Sequence, residues 1–417
     1  MLKRVVIENY RSCLHTSVDL HPNLSVLIGP NGSGKTNILQ AIMLLNKMAR
    51  EDEHRPSLRG GISVTSRFKA TFQQGRIQSR LNASVDAYAD ESNNDVMLAS
   101  RQKWLLDGPD GKHASLNVPL SVVGRIGPYW MHRRLLHRSE REYYGYLYRK
   151  LALRSMPTRS QKWIWRAMRS VGGYCAGIRY YGASQFTNPG TCPASFEIER
   201  EGKRLVLTRL RGHVKILYNM YSANRDQSNS RYRQFIDIVG PKGLRLIDDL
   251  TFRQVPTSSV EYSVRVGGKV EVRKRHKLLV IPQFKVGKQT LSPNQLSEGT
   301  FKTLSLLFHV ITEDSTALLI EEPEVCVHHG LLSSILELIK SSSRHKQMIL
   351  STHSDYVLDH VSPDNVFRVT FDKTKGTVAR HIRKTMTSKE YSALREYLEQ
   401  EGNLGEYWRE GGLGDRP

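Results

Sequence analysis

The sequence predicts an α/β fold, and three stretches carry that expectation. The first, "VLIGPNGSGKTNILQAI" from Val26 to Ile42, passes from an apolar strand through a glycine-rich turn into the helical spacing of Ile38, Leu39, Ile42, Met43 and Leu44. The second, "STALLIEEPE" from Ser315 to Glu324, is a short apolar strand ending in two adjacent carboxylates. The third, "KQMILSTHSDYVLD" from Lys346 to Asp359, holds another such strand, Met348 to Leu350, closed by Ser351, Thr352 and His353. Short apolar runs bounded by turn residues read as buried strands.

The first turn fits G-x-x-x-x-G-K-[ST] as Gly29, Pro30, Asn31, Gly32, Ser33, Gly34, Lys35 and Thr36. Glycines at Gly32 and Gly34 let backbone N–H groups turn inward around phosphate oxygens, with the helix N-terminus adding partial positive charge. In this pattern Lys35 lies against the β and γ phosphates of ATP, and Thr36 offers its hydroxyl to Mg²⁺. Asn31, Ser33 and Asn37 belong to the same cradle. The two carboxylates stand at a strand's C-terminal end, where ligands gather in open α/β sheets. They suit two roles there, Glu321 supporting Mg²⁺ and its waters and Glu322 orienting and deprotonating the attacking water.

Size and composition bound the rest. The 417 residues suffice for two or three domain-sized units, or for one head with insertions. No run approaches the ~18 apolar residues of a membrane span. The opening "MLKRVVIENYRS" reads as a strand, Val5 to Ile7, without the apolar core of a secretion signal. A cytoplasmic protein with no membrane partner is expected. Cys13, Cys175, Cys192 and Cys326 are scattered without a C-x-x-C pair, so reduced thiols are expected, with neither zinc site nor disulfide framework.

The net charge of +22 is unevenly distributed: residues 101–290 hold 36 Lys or Arg against 13 Asp or Glu, and the remainder is close to neutral. A nucleic acid is therefore the expected partner of this middle segment. Within it, 129–155 and 160–170 have helical periodicity with cations among aromatics. "IRYYGASQF" reads as a strand, "ASFEIEREGKRLVLTRL" as a hairpin turning at Glu201 and Gly202, 232–239 as a helix, and 259–275 as a second hairpin. Upstream, "ISVTSRFKATF" and "RLNASVDAYA" alternate as strands of a mixed lobe. No repeat or long low-complexity tract interrupts the chain.

One further stretch, "PNQLSEGTFKTLSLLFHVI" from Pro293 to Ile311, sets Leu296, Ser297, Glu298 and Gly299 before a helix with apolar Phe301, Leu304, Leu307 and Phe308. Here the chain resembles the ABC-type ATPases, whose elements come in this order: phosphate loop, L-S-x-G signature, acidic strand, histidine. The resemblance implies a P-loop NTPase fold with an ABC-type ATPase head, in which Ser297 and Gly299 reach the γ-phosphate bound to a second copy. It also implies that His353 contacts the γ-phosphate and that two heads sandwich ATP head to tail.

"VVIENYRSC", "GPNGSGKTNILQAI" and "EEPE" are similar to the branch holding SMC, RecF and overcoming-lysogenization-defect (OLD) proteins, and imply that Arg11 approaches the nucleotide. Val327, His328 and His329 depart from the leucine, histidine and proline common in that branch. Its Q-loop glutamine is Gln73, Gln74 or Gln185. The 64 residues after His353 are too few for the nuclease domain of OLD proteins, so the resemblance points to a stand-alone OLD-like AAA ATPase acting with a separate effector such as a nuclease, as in anti-phage systems.

The expected layout is a discontinuous head at 1–100 and 291–385, a basic, largely helical insert at 101–290, and a tail at 386–417 that folds back on its head or docks a partner. The leading expectation is an ATPase that dimerises on ATP and couples closure to sensing DNA or a foreign element. A RecF-like repair ATPase is the alternative. A non-hydrolysing ATP-dependent scaffold and a transporter subunit are more remote.

Overall fold

The computed structural model describes residues 1–49, 62–75, 77–90, 95–108, 113–122, 162–201, 204–206, 212–226, 228–264, 270–325, 327, 329–400 and 402–413. The expected basic helix at 129–155 and the turns at Gly202 and at 265–269 lie outside them. Two compact units are present, one of Met1–Tyr180, Asp314–Glu322 and Leu336–Pro417, the other of Tyr181–Glu313 and Pro323–Ile335.

The first unit opens with β1 (Leu2–Tyr10) and β2 (Cys13–Asp19), antiparallel across a turn at Arg11 and Ser12. Then come β3 (Leu24–Ile28) and helix α1 (Lys35–Ala49). Four long strands, β4 (Ile62–Gln74), β5 (Ile77–Asp90), β6 (Asp95–Asp107) and β7 (His113–Val122), extend β1 into an antiparallel sheet of order β2-β1-β4-β5-β6-β7. The β5–β6 register runs unbroken from Gln78↔Asp107 to Asp90↔Asp95. The expected boundary at residue 100 falls within β6. Helix α2 (Lys162–Ala176) and β8 (Ile178–Gly182) follow.

The second unit carries β9 (Phe196–Glu201), β10 (Arg204–Val206), α3 (Gly212–Arg225), α4 (Ser230–Val239), β11 (Asp249–Val264), β12 (Val270–Val286), β13 (Gln289–Leu291) and α5 (Glu298–Thr312). Its sheet has the order β10-β9-β12-β11, with β13 also on β12. The β11–β12 ribbon pairs from Asp249↔Lys285 to Val264↔Val270. Around α5 the core is aromatic: Phe235 meets Phe308 edge-on with ring centroids 5.4 Å apart, and Phe186 lies 6.1 Å from Phe301.

Helix α6 (His329–Ser342) begins in the second unit and ends in the first. In the first unit, β14 (Ala317–Glu321), β15 (Gln347–Thr352), the one-turn helix α7 (Asp355–Asp359), β16 (Val366–Asp372) and β17 (Gly376–His381) complete a sheet of order β17-β16-β3-β15-β14-β8. Strands β14, β15, β3 and β16 are parallel. Every residue of β3 and β15 is buried, as is β14 up to Ile320, which is why these strands read as unbroken apolar runs. Leu27, Ile38, Ile42, Leu319 and Ile349 belong to one core that also takes in Trp104 and Phe72.

The tail folds back on this unit. Helix α8 (Ser388–Glu399) starts with a Thr387–Glu390 capping box, and α9 (Leu404–Arg409) packs on α7 with Leu404 and Trp408 buried. Gly405 N–H donates to Asp359 Oδ1 at 2.8 Å. A Cβ at Gly405 would stand 2.3 Å from Asp355 O, so only glycine permits this approach. Arg409 Nε pairs with Asp355 Oδ2 at 3.0 Å.

Candidate active site

Strand register decides which side chains share an end of the sheet. Glu321 pairs with Ser351, and Thr352 with Ile28, so the C-terminal ends of β14, β15 and β3 stand in a row. The glycine-rich turn leaves β3 at this end. Gly32 and Gly34 have φ of +80° and +100°, which L side chains rarely adopt. A Cβ at Gly34 would lie 2.0 Å from Thr377 Oγ1, and one at Gly29 2.0 Å from Val369 O, whereas Gly32 faces open space.

Lys35 is buried, and its Nζ donates to Gly29 O at 2.7 Å and Pro30 O at 3.0 Å, which holds the charge over the loop. Asn31 is exposed at the loop's tip. Thr36 Oγ1 donates to Glu321 Oε1, and Tyr180 OH donates to Glu321 Oε2. Burial, reinforced by the Glu321 carboxylate, pushes the Tyr180 phenol far above its ordinary value and keeps it a donor.

Glu322 follows with φ +47°, a left-handed conformation that is uncommon away from glycine. Its N–H donates to Ser351 O at 2.9 Å, and its Oε1 lies 3.4 Å from His353 Nδ1. Both side chains are partly exposed, at 32% and 40%. Glu321 and Glu322 are consecutive yet differ in surroundings, one tied into the interior and one open to solvent beside an imidazole.

A hydrogen-bond chain pins the loop. Asn37 Nδ2 donates to Ser12 Oγ at 2.6 Å, Ser12 Oγ and Thr377 Oγ1 are 2.7 Å apart, and Thr377 Oγ1 donates to Ser33 O at 3.0 Å. Arg11, with φ +52°, turns its Nη1 onto Asn37 Oδ1 at 3.3 Å and onto Gln40 Oε1. Arg11 and Asn37 therefore engage each other on the loop helix. Thr377, Tyr180 and Gln40 escaped the sequence reading, because no local pattern marks a residue whose partner is 344 or 141 positions away.

The signature segment belongs to the second unit. Ser297 caps α5, its Oγ accepting from Thr300 N–H at 3.1 Å, and is exposed, with Gly299 in the following turn. Glu298 pairs at 2.7 Å with Lys302, whose side chain is 1% exposed, and also accepts from Asn188 N–H at 3.2 Å. Gln73 and Gln74 end β4 in the antiparallel sheet, and Gln73 Nε2 donates to Gly75 O. Gln185 lies in a 3-10 turn, Ala183–Phe186, after β8, which neighbours β14 in the sheet.

The donor set fits a magnesium-bound triphosphate. Hydroxyl and carboxylate oxygens from Thr36 and Glu321 are the hard ligands Mg²⁺ takes. Ser33 Oγ in the loop and Ser351 Oγ near the end of β15 are buried without a hydrogen-bond partner among the described residues. Among the described residues no cluster of three His, Cys, Asp or Glu could hold a metal ion, and no helix is long and apolar enough to cross a membrane.

The fold is α/β, with a P-loop turn between β3 and α1, and two parts of the chain match ATPase family models. Residues 1–102 match the family model described as "AAA ATPase domain", and residues 218–359 that described as "AAA domain, putative AbiEii toxin, Type IV TA system". The chain is 36% identical over 86 residues to the DNA replication and repair protein RecF of Leptospira interrogans, covering 20% of this chain and 22% of that protein. It is 42% identical over 64 residues to the DNA double-strand break repair Rad50 ATPase of Methanopyrus kandleri, covering 13% of this chain and 7% of that protein. The matches thus span less than a quarter of these relatives. Among solved structures, an SMC head bound to the C-terminal winged helix domain of ScpA aligns over 92% of this chain and 98% of its own, with 15% identity and a TM-score of 0.42.

Proposed function

We propose that this chain is an ATPase that binds MgATP at the ends of β3, β14 and β15. The reading rests on one observation: Lys35, Thr36, Glu321, Glu322 and His353, spread over more than three hundred positions, meet at one edge of one parallel sheet. Gly32, Ser33 and Gly34 present backbone N–H groups to the phosphates, and Lys35 swings its ammonium onto the β and γ oxygens. Thr36 and Glu321 hold Mg²⁺, which when bound neutralises phosphate charge during transfer. Glu322 takes a proton from water, and His353 beside it orients the carboxylate and meets the γ-phosphate. Ser297, exposed at the head of α5, and Gly299, half-buried in its first turn, serve the site of a second copy, so hydrolysis follows dimerisation. Gln185, in the short 3-10 turn Ala183–Phe186 that follows β8, is the favoured Q-loop residue.

Closure of paired heads then acts on a DNA-bound or effector-bound state. The excess cations of 101–290, among them exposed Lys215, Arg233, Lys242, Arg253, Lys285 and Lys288, suit a nucleic acid. Two readings of the outcome stand level. A toxin system in the description of one matched family favours control of a separate effector such as a nuclease, in defence against phage. The name of the RecF relatives favours DNA repair.

The Glu322→Gln variant tests the core of the proposal. It should bind ATP, release phosphate at least a hundredfold more slowly than wild type, within the ~10²–10⁴ range for lost general-base help, and accumulate as dimer by light scattering. Wild-type protein that releases no phosphate with or without DNA, or a variant monomeric at saturating MgATP, would refute it. Proteins co-purifying from the native operon separate defence from repair.

A further inference from the structure

Glutamate at the end of β14 poses a positional problem. A metal-supporting carboxylate must be held to a fraction of an ångström, yet a glutamate side chain has three rotatable torsions. Both oxygens of Glu321 are nevertheless engaged, Oε1 by the Thr36 hydroxyl and Oε2 by the Tyr180 phenol. Tyr180 reaches across from β8, the strand beside β14. The phenol has a single proton, and it is spent on Glu321. The Gln40 side chain stands close enough to the phenol to oppose the upward push of burial.

Gln40 sits one turn beyond Thr36 on α1, on the same face. Its Oε1 accepts from Arg11 Nη1, which fixes the amide so that its NH₂ is the group left to face the phenol. Arg11 thus donates to Gln40, and Tyr180 donates to Glu321, with the Gln40 amide close to the phenol. The Thr36 hydroxyl, with its proton on Glu321, keeps its lone pairs for a metal ion.

We propose that Tyr180 is a positioning residue that fixes the Glu321 carboxylate for Mg²⁺, and that Gln40, held by Arg11 from the turn between β1 and β2, orients the phenol from beside it. The inference rests on the MgATP reading above. Neither residue touches the nucleotide in this account; each acts through Glu321.

The test reads binding rather than turnover. Full-length protein is titrated with a fluorescent methylanthraniloyl ATP, once with Mg²⁺ varied and once in EDTA. Tyr180→Phe, which removes only the hydroxyl, should raise the Mg²⁺ concentration for half-maximal binding about tenfold, the lower end of what outer-shell partners of metal ligands cost. Affinity in EDTA should be unchanged. Gln40→Met should shift Mg²⁺ dependence in the same direction by less, and it carries the test if Tyr180→Phe does not fold. Unchanged Mg²⁺ dependence, or equal loss with and without metal, overturns the positioning role while leaving the ATPase reading intact. Wild-type protein that binds no ATP under either condition overturns both.

Discussion

Thr377 is fully buried on β17, yet its hydroxyl bridges the β1–β2 turn and the nucleotide-binding turn, accepting from Ser12 Oγ at 2.7 Å and donating to Ser33 O at 3.0 Å. Thr377→Val keeps the side chain's shape and removes both bonds. At ~1 kcal/mol per buried hydrogen bond, with a further penalty for stranding the Ser33 carbonyl, the loss is about 2–3 kcal/mol. That is a large share of the ~5–15 kcal/mol that holds a domain folded. Thr377→Ser keeps the hydroxyl and loses one methyl, which costs ~0.5–1.5 kcal/mol. The two variants therefore separate bonding from packing. Denaturant unfolding of the full chain at matched slopes gives the stability difference, and labelled-ATP titration reports on the loop. Thr377→Val should weaken ATP binding about tenfold, the equivalent of ~1.4 kcal/mol, and Thr377→Ser much less. If serine harms nucleotide binding as much as valine, the bridge does not hold the loop and the reasoning fails.

Two other outcomes are expected. Trp408→Ala opens a cavity where α9 meets α7 and should cost ~3–5 kcal/mol locally, seen as faster amide exchange over 404–409 and 355–359; unchanged exchange would show the tail to be held elsewhere. Burial raises the thiols of Cys13, Cys175 and Cys192, the last from an ordinary 9.0 to about 11. A raised acid favours the folded state below its unfolded value and loses that contribution as pH climbs, so for Cys192 stability should fall between pH 9 and about 11. In a Cys326→Ala background, Ellman's reagent should find no fast-reacting thiol at pH 8 and three after denaturation.

What the sequence determined by itself was local. Gly32 and Gly34 announced a turn with positive φ because only glycine takes it at no steric cost, and the apolar runs at 26–28, 317–320 and 348–350 announced buried parallel strands because both faces are covered. Adjacent Glu321 and Glu322 were visible as a pair, but not that backbone strain and register would turn one inward and leave the other beside His353. Strand β6 crosses the expected boundary at residue 100 without a break, a pairing that composition does not encode. Tertiary structure alone decided the long-range partners: Thr377 on Ser33, Tyr180 on Glu321, α9 on α7. The physical reason is that periodicity and turn chemistry act over a few residues, whereas a hydrogen bond between distant segments exists only after burial has brought them together.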